Sequence, residues 1–110
     1  MQIKVERYGH AVILNCKGEL TEDTLEVFCK EVTRQLDENI VDIVVSLQEL
    51  GFIDSAALTY LLELQETLRD RQGQLSLAKP NENVLKILEI TRLDGELDVV
   101  DDIMEAVRAI

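Results

Sequence analysis

The chain has 110 residues, 46% of them hydrophobic, and a formal net charge of −11 from 22 acidic and 11 basic residues. This hydrophobic share is too high for a disordered chain, and the length suits a modest core, so we expect a single domain over residues 1–110. The acidic balance argues against a nucleic-acid or anionic-membrane binder, because both need basic surface. It indicates either a partner with a basic patch or only a highly soluble surface.

The two cysteines, Cys16 and Cys29, are far apart in the sequence and form no Cys-x-x-Cys motif. Both fall on apolar stripes, so we expect core residues rather than redox groups. The N-terminus has no apolar signal core, and no apolar run approaches the roughly 20 residues of a spanning helix. These features favour a cytoplasmic protein without a membrane segment.

The first predicted elements are two strands joined by a turn. Ile3 and Val5 share one face of the first strand, Gly9 and His10 supply the turn, and "AVILNC" continues as a second strand that Gly18 ends. The pattern predicts an antiparallel hairpin. His10 is the only histidine, and we interpret it as a solvated turn residue, because a zinc site needs further ligands nearby. No metal site is predicted.

A helix follows, with Thr21 as its predicted N-cap and acidic residues in its first turn. Its apolar residues recur at helical spacing, and they are Leu25, Phe28, Cys29, Val32 and Leu36. The next run, "IVDIVVSL", is apolar and β-branched, which is typical of a strand buried on both faces. We expect the segment "QELG" after it to be a loop.

The second half alternates helices and strands. A helix is predicted from Ser55 to about Gln72, closed by Gly73 as its C′ residue. Then come the strand "QLSLAK", a helix opened by "PN", the short strand "ELDVV" and a final helix begun by "DD". The order predicts an α/β fold, a mixed and mostly parallel sheet of about five strands with four helices and an N-terminal antiparallel hairpin.

The stretch "GFIDSAALTYLL" places Asp54 and Ser55 just past a buried strand and at the mouth of a helix. In sheets of this kind function gathers at the carboxyl ends of the strands, and a helix N-terminus favours negative charge. Two interpretations remain open. Either Asp54 or Ser55 is only the helix cap, or Asp54 caps the helix while Ser55 points outward and can accept a phosphate.

The sequence lacks the residues that an enzyme active site at Asp54 and Ser55 would need. A nucleophile elbow reads G-x-S-x-G with its histidine later in the chain, whereas neither glycine flanks Ser55 and the only histidine comes early. No Walker loop or G-x-G-x-x-G follows a strand, so no cofactor is expected. A phospho-accepting Asp54, as in response-regulator receivers, would need an acidic Mg²⁺-binding pair after the first strand, which "IKVERYG" lacks. We therefore expect no catalytic residues.

Over nearly its whole length the chain resembles a STAS domain of the bacterial anti-sigma factor antagonist type. The matching segments are "KGEL" (17–20), "IVVSLQELGFIDSAAL" (43–58), Gly73, "LAKPNENV" (77–84), "RLDG" (92–95) and the closing helix with Glu105 and Ala106. The chain departs from the family pattern at Ser46, where the family usually has an Asp at the end of the third strand. It departs again at Ala57, where the family usually has a Gly, and we expect the alanine methyl to lie beside the docking surface.

The resemblance implies a STAS fold and a phosphorylation-regulated partner switch. In that family, a serine after an Asp at this corner is phosphorylated by an anti-sigma factor serine kinase and dephosphorylated by a cognate phosphatase. The unphosphorylated form captures the anti-sigma factor and frees a sigma factor. By motif position that serine is Ser55, and the domain is a substrate and binding module, not an enzyme. The implied partner-binding residues are Thr21, Gln48, Glu49, Gly51, Phe52, Asp54, Ser55, Ala56, Leu58 and Thr59.

For the apolar members of this set, core packing is at least as good an explanation as partner contact. An alternative function also stays open. The chain could be a constitutive STAS scaffold, or a subunit of a stressosome or of a lipid or anion transport complex, in which Ser55 is only a helix cap.

Overall fold

The computed structural model of the protein describes every residue from Met1 to Ile110. Five strands form one sheet in chain order, namely β1 (Gln2–Tyr8), β2 (Ala11–Leu20), β3 (Asp42–Ile53), β4 (Gln74–Ala78) and β5 (Val99–Val100). The helices are α1 (Leu25–Asp37), α2 (Ser55–Asp70), α3 (Glu82–Ile90) and α4 (Ile103–Ala109), with a short 3₁₀ helix at Leu93–Gly95. β1 and β2 are antiparallel and all other neighbours are parallel, so the predicted mixed sheet is confirmed.

Different helices cover the two faces of the sheet. On one face, inward residues of β2 to β4 pack in a large core with α1, α2 and α3; among them are Val12, Leu14, Ile43, Val45, Leu75, Leu77, Phe28, Leu61 and Leu88. On the other face Ile13, Val44 and Ala78 pack with Ala106 and Val107 of α4. Because β3 is covered on both sides, its sequence is a continuous apolar run, as predicted.

The predicted cap of α1 is wrong. Thr21 does not cap the helix, because Thr21 to Thr24 form a turn and α1 begins at Leu25. The Thr24 hydroxyl accepts the Thr21 amide at 2.9 Å and donates to the Glu19 carbonyl at 2.8 Å. Such side-chain bonds to the main chain give the backbone an alternative to the helix, so the first helical turn is delayed.

β2 and β3 are both longer than predicted. Gly18 does not end β2, and "QELG" is not a loop, because Gly18 pairs with Leu50 and Leu20 with Ile53. The pairing register shifts twice along this stretch, which indicates bulges, and Gly18 takes a φ of +116°. Leu50 and Ile53 are fully buried, so the extension of β3 adds to the core and carries the chain to Asp54.

The C-terminus of α2 also differs from its prediction. The left-handed C′ residue is Gln72, with φ +63°, rather than Gly73. The Gln72 amide donates to the Arg69 carbonyl at 2.9 Å and the Gly73 amide to the Leu68 carbonyl at 2.6 Å, the bond pattern of a Schellman motif. Gly73 is required for another reason. A Cβ added there would lie 2.6 Å from the Cβ of Val41, inside van der Waals contact.

The two cysteines are free thiols with different burial. Cys16 is 2% exposed in the main core, as predicted, and burial raises its pKa to about 12. Cys29 lies half-buried on α1 beside Tyr60, whose pKa burial also raises. None of the helices is both long and apolar enough to cross a bilayer.

Candidate functional site

Asp54 and Ser55 lie at the carboxyl end of β3, where α2 begins. Asp54 is the N-cap, with an extended backbone, and its Oδ1 accepts the amide of Ala57 at 2.9 Å. Ser55 is the first residue of the helix and its side chain is exposed. The structure therefore assigns the cap to Asp54 and leaves the Ser55 hydroxyl on the surface.

The second carboxylate oxygen of Asp54 joins two loops. Oδ2 accepts the amide of Glu22, 32 residues earlier in the chain, at 2.8 Å. The Asp54 amide donates to the carbonyl of Leu20 at 3.2 Å. These bonds hold the segment after β2 against the start of α2, so Thr21 lies on the same side as Ser55, as expected from sequence. The part played by Glu22 was missed, because a main-chain donor leaves no signal in the residue pattern.

The hydrogen bonds also fix the charge of Asp54. The amides of Ala57 and Glu22, in that order of effect, hold the pKa of the Asp54 carboxyl below its ordinary value, because they stabilise the ionised form. Asp54 is therefore a carboxylate at neutral pH. Both of its oxygens are engaged, so this negative charge stays fixed beside Ser55.

The end of β3 forms an exposed platform next to Ser55. Phe52 is 39% exposed, which is high for an aromatic side chain, and Gly51 beside it is also exposed. Asn81 caps α3 through Val84, and its side-chain amide donates to the carbonyl of Leu50. Asn83 donates to the carbonyl of Gly51 at 2.7 Å. The start of α3 thus holds this platform in place.

The sequence analysis did not single out Asn81 or Asn83 for this role. The segment "PNEN" indicated only the start of a helix, and Asn81 is indeed its cap. The contacts with Leu50 and Gly51 bridge 31 and 32 residues, and no local pattern carries that information.

The ten predicted partner-binding residues differ in exposure. Six are exposed, namely Gln48, Glu49, Gly51, Phe52, Ser55 and Thr59. Thr21, Asp54 and Ala56 are half-buried, while Leu58 is 5% exposed within the main core. The Thr59 hydroxyl donates to the Ser55 carbonyl at 2.9 Å, which places it one turn along α2 from Ser55. Hydrogen bonds thus bring Thr59, Asp54 and the loop that follows Thr21 together at the start of α2. Glu49 instead lines a groove with Lys4 and Lys17, and Leu58 has a packing role.

A family model for the STAS domain matches residues 2–106. The chain belongs to the STAS domain family. An anti-sigma F factor antagonist of Paenibacillus polymyxa is 27% identical over 111 residues, which cover 96% of this chain and 92% of the relative. A candidate anti-sigma factor antagonist of Thermotoga neapolitana is 30% identical over 100 residues, covering 90% of this chain and 88% of the relative.

Solved structures agree with the family assignment. The crystal structure of a candidate anti-sigma factor antagonist from Thermotoga maritima superimposes with a TM-score of 0.90 at 27% identity, over 98% of this STAS domain and 93% of that chain. Unphosphorylated SpoIIAA shares the fold at a TM-score of 0.74 and 17% identity, over 99% and 100% of the two chains. The resemblance found in the sequence is therefore confirmed.

The two departures from the family pattern lie inside the STAS domain. Ala57 is fully buried, so its methyl packs into the main core beneath the start of α2, and its place beside a docking surface stays a prediction. Ser46 is 3% exposed and pairs with Asn15 and Ala78 in the middle of the sheet, not at the end of its strand. Both side chains are therefore buried in the domain.

The single histidine of the STAS domain lies far from Ser55. His10 is in the turn before β2, where its Nε2 is 3.5 Å from the Asp42 carboxylate and 3.1 Å from the Ile110 carbonyl. Asp42 begins β3, whereas Ser55 follows its end. Ser55 consequently has no imidazole base within reach that could activate it as a catalytic nucleophile.

Proposed function

We propose that this STAS domain is an anti-sigma factor antagonist that is switched by phosphorylation of Ser55. The unphosphorylated form binds an anti-sigma factor serine kinase in the cytoplasm and so frees a sigma factor. Phosphorylation by that kinase ends the interaction, and a phosphatase restores it. The observation that carries the proposal is the division of roles at the start of α2, where Asp54 caps the helix and Ser55 is exposed.

The position of Ser55 suits a phosphate. The first amides of a helix have no partner within the helix, and the helix dipole favours negative charge there. The fold also accommodates such a group, because Bacillus SpoIIAA in its phosphorylated form superimposes on this domain with a TM-score of 0.73 over 98% of the chain. An exposed hydroxyl at a helix N-terminus is open to a kinase and leaves room for the phosphate.

The switch would act on the interface and leave the fold intact. A phosphate adds about −1.5 to −2 charges at neutral pH, next to an Asp54 carboxylate that its two hydrogen bonds hold in place. In water the repulsion costs on the order of 1 kcal/mol, and the helix dipole partly offsets it. Domains of this size are stable by roughly 5–15 kcal/mol, so we expect the phosphorylated domain to remain folded.

An interface responds more strongly than the fold does. An unpaired phosphate buried against a partner would cost several kcal/mol, about enough to weaken binding by orders of magnitude. The surface around Ser55 suits a partner with basic and apolar groups, because the ring of Phe52 is exposed close before Ser55 and Glu22, whose amide bonds to Asp54, has an exposed acidic side chain. The proposed role is thus that of a substrate and binding module, not of an enzyme.

Replacement of Ser55 tests this mechanism directly. Binding to the host's anti-sigma factor kinase would be measured by calorimetry for the wild-type domain, Ser55→Ala and Ser55→Asp. We expect Ser55→Ala to bind like wild type and Ser55→Asp to bind at least about tenfold more weakly, because its charge lies in the interface. Thr33→Asp on the exposed face of α1 is the matched control, since it adds the same charge elsewhere. Full-strength binding by Ser55→Asp, or loss of its circular dichroism spectrum, would contradict the proposal.

A further inference from the structure

The first strand leaves one long edge of the sheet open. β1 has seven residues, pairs only with β2 and ends the sheet on that side. The opposite edge, β5, has only two residues. An unpaired edge presents a row of amides and carbonyls that can accept another strand, so β1 is the edge of this molecule with the length to do so.

The hairpin geometry shows which main-chain groups of β1 face outward. Gly9 and His10 form a two-residue loop, so Tyr8 and Ala11 exchange both hydrogen bonds across it. The hydrogen-bonded pairs then alternate, and Lys4 turns its carbonyl towards β2, where the side chain of Asn15 contacts it. The outward amides and carbonyls are therefore those of Ile3, Val5 and Arg7.

β1 is complementary to a second copy of itself. If two β1 strands run antiparallel with Val5 opposite Val5, Ile3 lies opposite Arg7 of the second copy and their outward main-chain groups meet. Lys4 then lies opposite Glu6 of the second copy, twice by symmetry, in the pairs whose side chains approach most closely. Glu6 accepts the Asn15 side chain with Oε1, so its other oxygen is available for the lysine.

The surroundings of β1 also carry exposed apolar groups. Two of the four exposed large hydrophobic residues flank this edge, Tyr8 at 51% and Val27 at 48%. Val27 lies on α1 and lines a groove of about 320 Å³ with Ile3 of β1. A second copy placed on β1 would cover this groove on one face of the sheet and would bring Gln2 against Tyr8 on the other.

We propose that two copies of this chain form a dimer through antiparallel pairing of their β1 strands, centred on Val5. The pairing joins the two five-stranded sheets into one continuous sheet and is closed by its two-fold symmetry, so it does not propagate into fibres. β2 separates β1 from β3, so both Ser55 sites stay accessible. The dimer is independent of the proposed switch and would present two such sites.

A charge swap at the paired edge tests the dimer. Analytical ultracentrifugation over a concentration series would compare the wild type, Lys4→Glu, Glu6→Lys and the double variant. We expect either single change to raise the dimer dissociation constant by about tenfold or more, because attractive pairs become repulsive. The double variant restores opposite charges across the axis, so we expect its affinity to return to near the wild-type value. Lys86→Glu on the exposed face of α3 controls for net charge.

Amide hydrogen exchange of the same samples would place the interface. With rising concentration we expect slower exchange at the amides of Ile3, Val5 and Arg7. A wild-type chain that stays monomeric up to about 1 mM, a dimer that both single variants leave unchanged, or a dimer with unprotected β1 amides would each overturn the proposal. In the monomeric case, Lys4 and Glu6 would instead be charges that keep the edge unpaired.

Discussion

Asp54 forms the hydrogen bonds that hold together the corner containing Ser55. One oxygen caps α2 and the other holds the Glu22 amide, so a single carboxylate joins two loops at the ends of neighbouring strands. The same bonds keep it ionised. A phosphate on Ser55 would therefore lie beside the Asp54 carboxylate, which its hydrogen bonds hold in place and which stays ionised at neutral pH.

Truncation of this side chain should loosen both loops. We expect Asp54→Ala to lower the free energy of unfolding by about 1–2 kcal/mol, because a cap is lost and the Glu22 amide loses its acceptor. Asp54→Asn should lower the free energy of unfolding by less, because asparagine also caps helices well. Some loss should remain, because asparagine has only one side-chain acceptor oxygen for the two amides. Urea denaturation of the three proteins at pH 7 measures these differences, and equal midpoints would show that the bonds contribute nothing.

The pH dependence of the same comparison isolates the charge of Asp54. The pKa of the Asp54 carboxyl is lowered in the folded state. The ionised carboxylate therefore adds to the free energy of unfolding above the unfolded pKa of about 3.9, and this stabilisation is lost as the pH falls through the folded pKa. We expect the stability difference between wild type and Asp54→Asn to be constant near neutral pH and to shrink below about pH 4. A difference that grows on acidification would have the wrong sign.

At the scale of single residues, the sequence predicted local roles better than distant ones. The start of α3 after Pro80 and Asn81 and the burial of Cys16 followed from local pattern and were confirmed. The bonds from Asp54 to Glu22 and from Asn83 to Gly51 span 32 residues each. Each depends on the packing of elements that meet only in the folded chain, so neither could be predicted.

Among the elements, the extension of β3 was the main structure that the sequence analysis missed. "QELG" contains two exposed polar residues and a glycine, a composition typical of a loop. It forms a strand because β2 continues beside it and Leu50 and Ile53 fill the core. Tertiary pairing decided the conformation here, and composition did not.

The junction of α2 and β4 depends on close contact between two main chains. A side chain at position 73 would overlap Val41, so Gly73→Ala must displace the start of β4 or of β3. We expect a loss of more than about 2 kcal/mol in the free energy of unfolding. Gly95→Ala is the matched control, because nothing lies within 4 Å of a Cβ added there, and it should change stability by less than about 0.5 kcal/mol. Similar melting temperatures for both variants in calorimetry would contradict this account.

For the whole molecule, the sequence predicted the architecture because strands and helices show different spacings of apolar residues. Alternation marked the hairpin, helical spacing marked α1 to α4, and the continuous apolar run of β3 indicated a strand covered on both faces. The sequence could not show that Ala57 and Ser46 are both buried. The two departures from the family pattern therefore concern residues packed inside the domain.

The acidic character of the whole domain bears on how it would be regulated. The net charge of −11 would become roughly −13 on phosphorylation, a small change for the molecule and a large one for the surface beside Asp54. The proposed regulation by a local charge would require only that the partner bury the corner at the start of α2.

The central claim is that Ser55 carries a regulatory phosphate, and mass spectrometry of the protein purified from its host tests it most directly. We expect an acid-stable phosphate that maps to Ser55 and whose occupancy differs between growth and stress. Complete absence of the phosphate under both conditions would contradict the claim and leave Ser55 as a surface residue of a constitutive scaffold. An acid-labile adduct on Asp54 would contradict it as well, since that carboxylate would then be the acceptor.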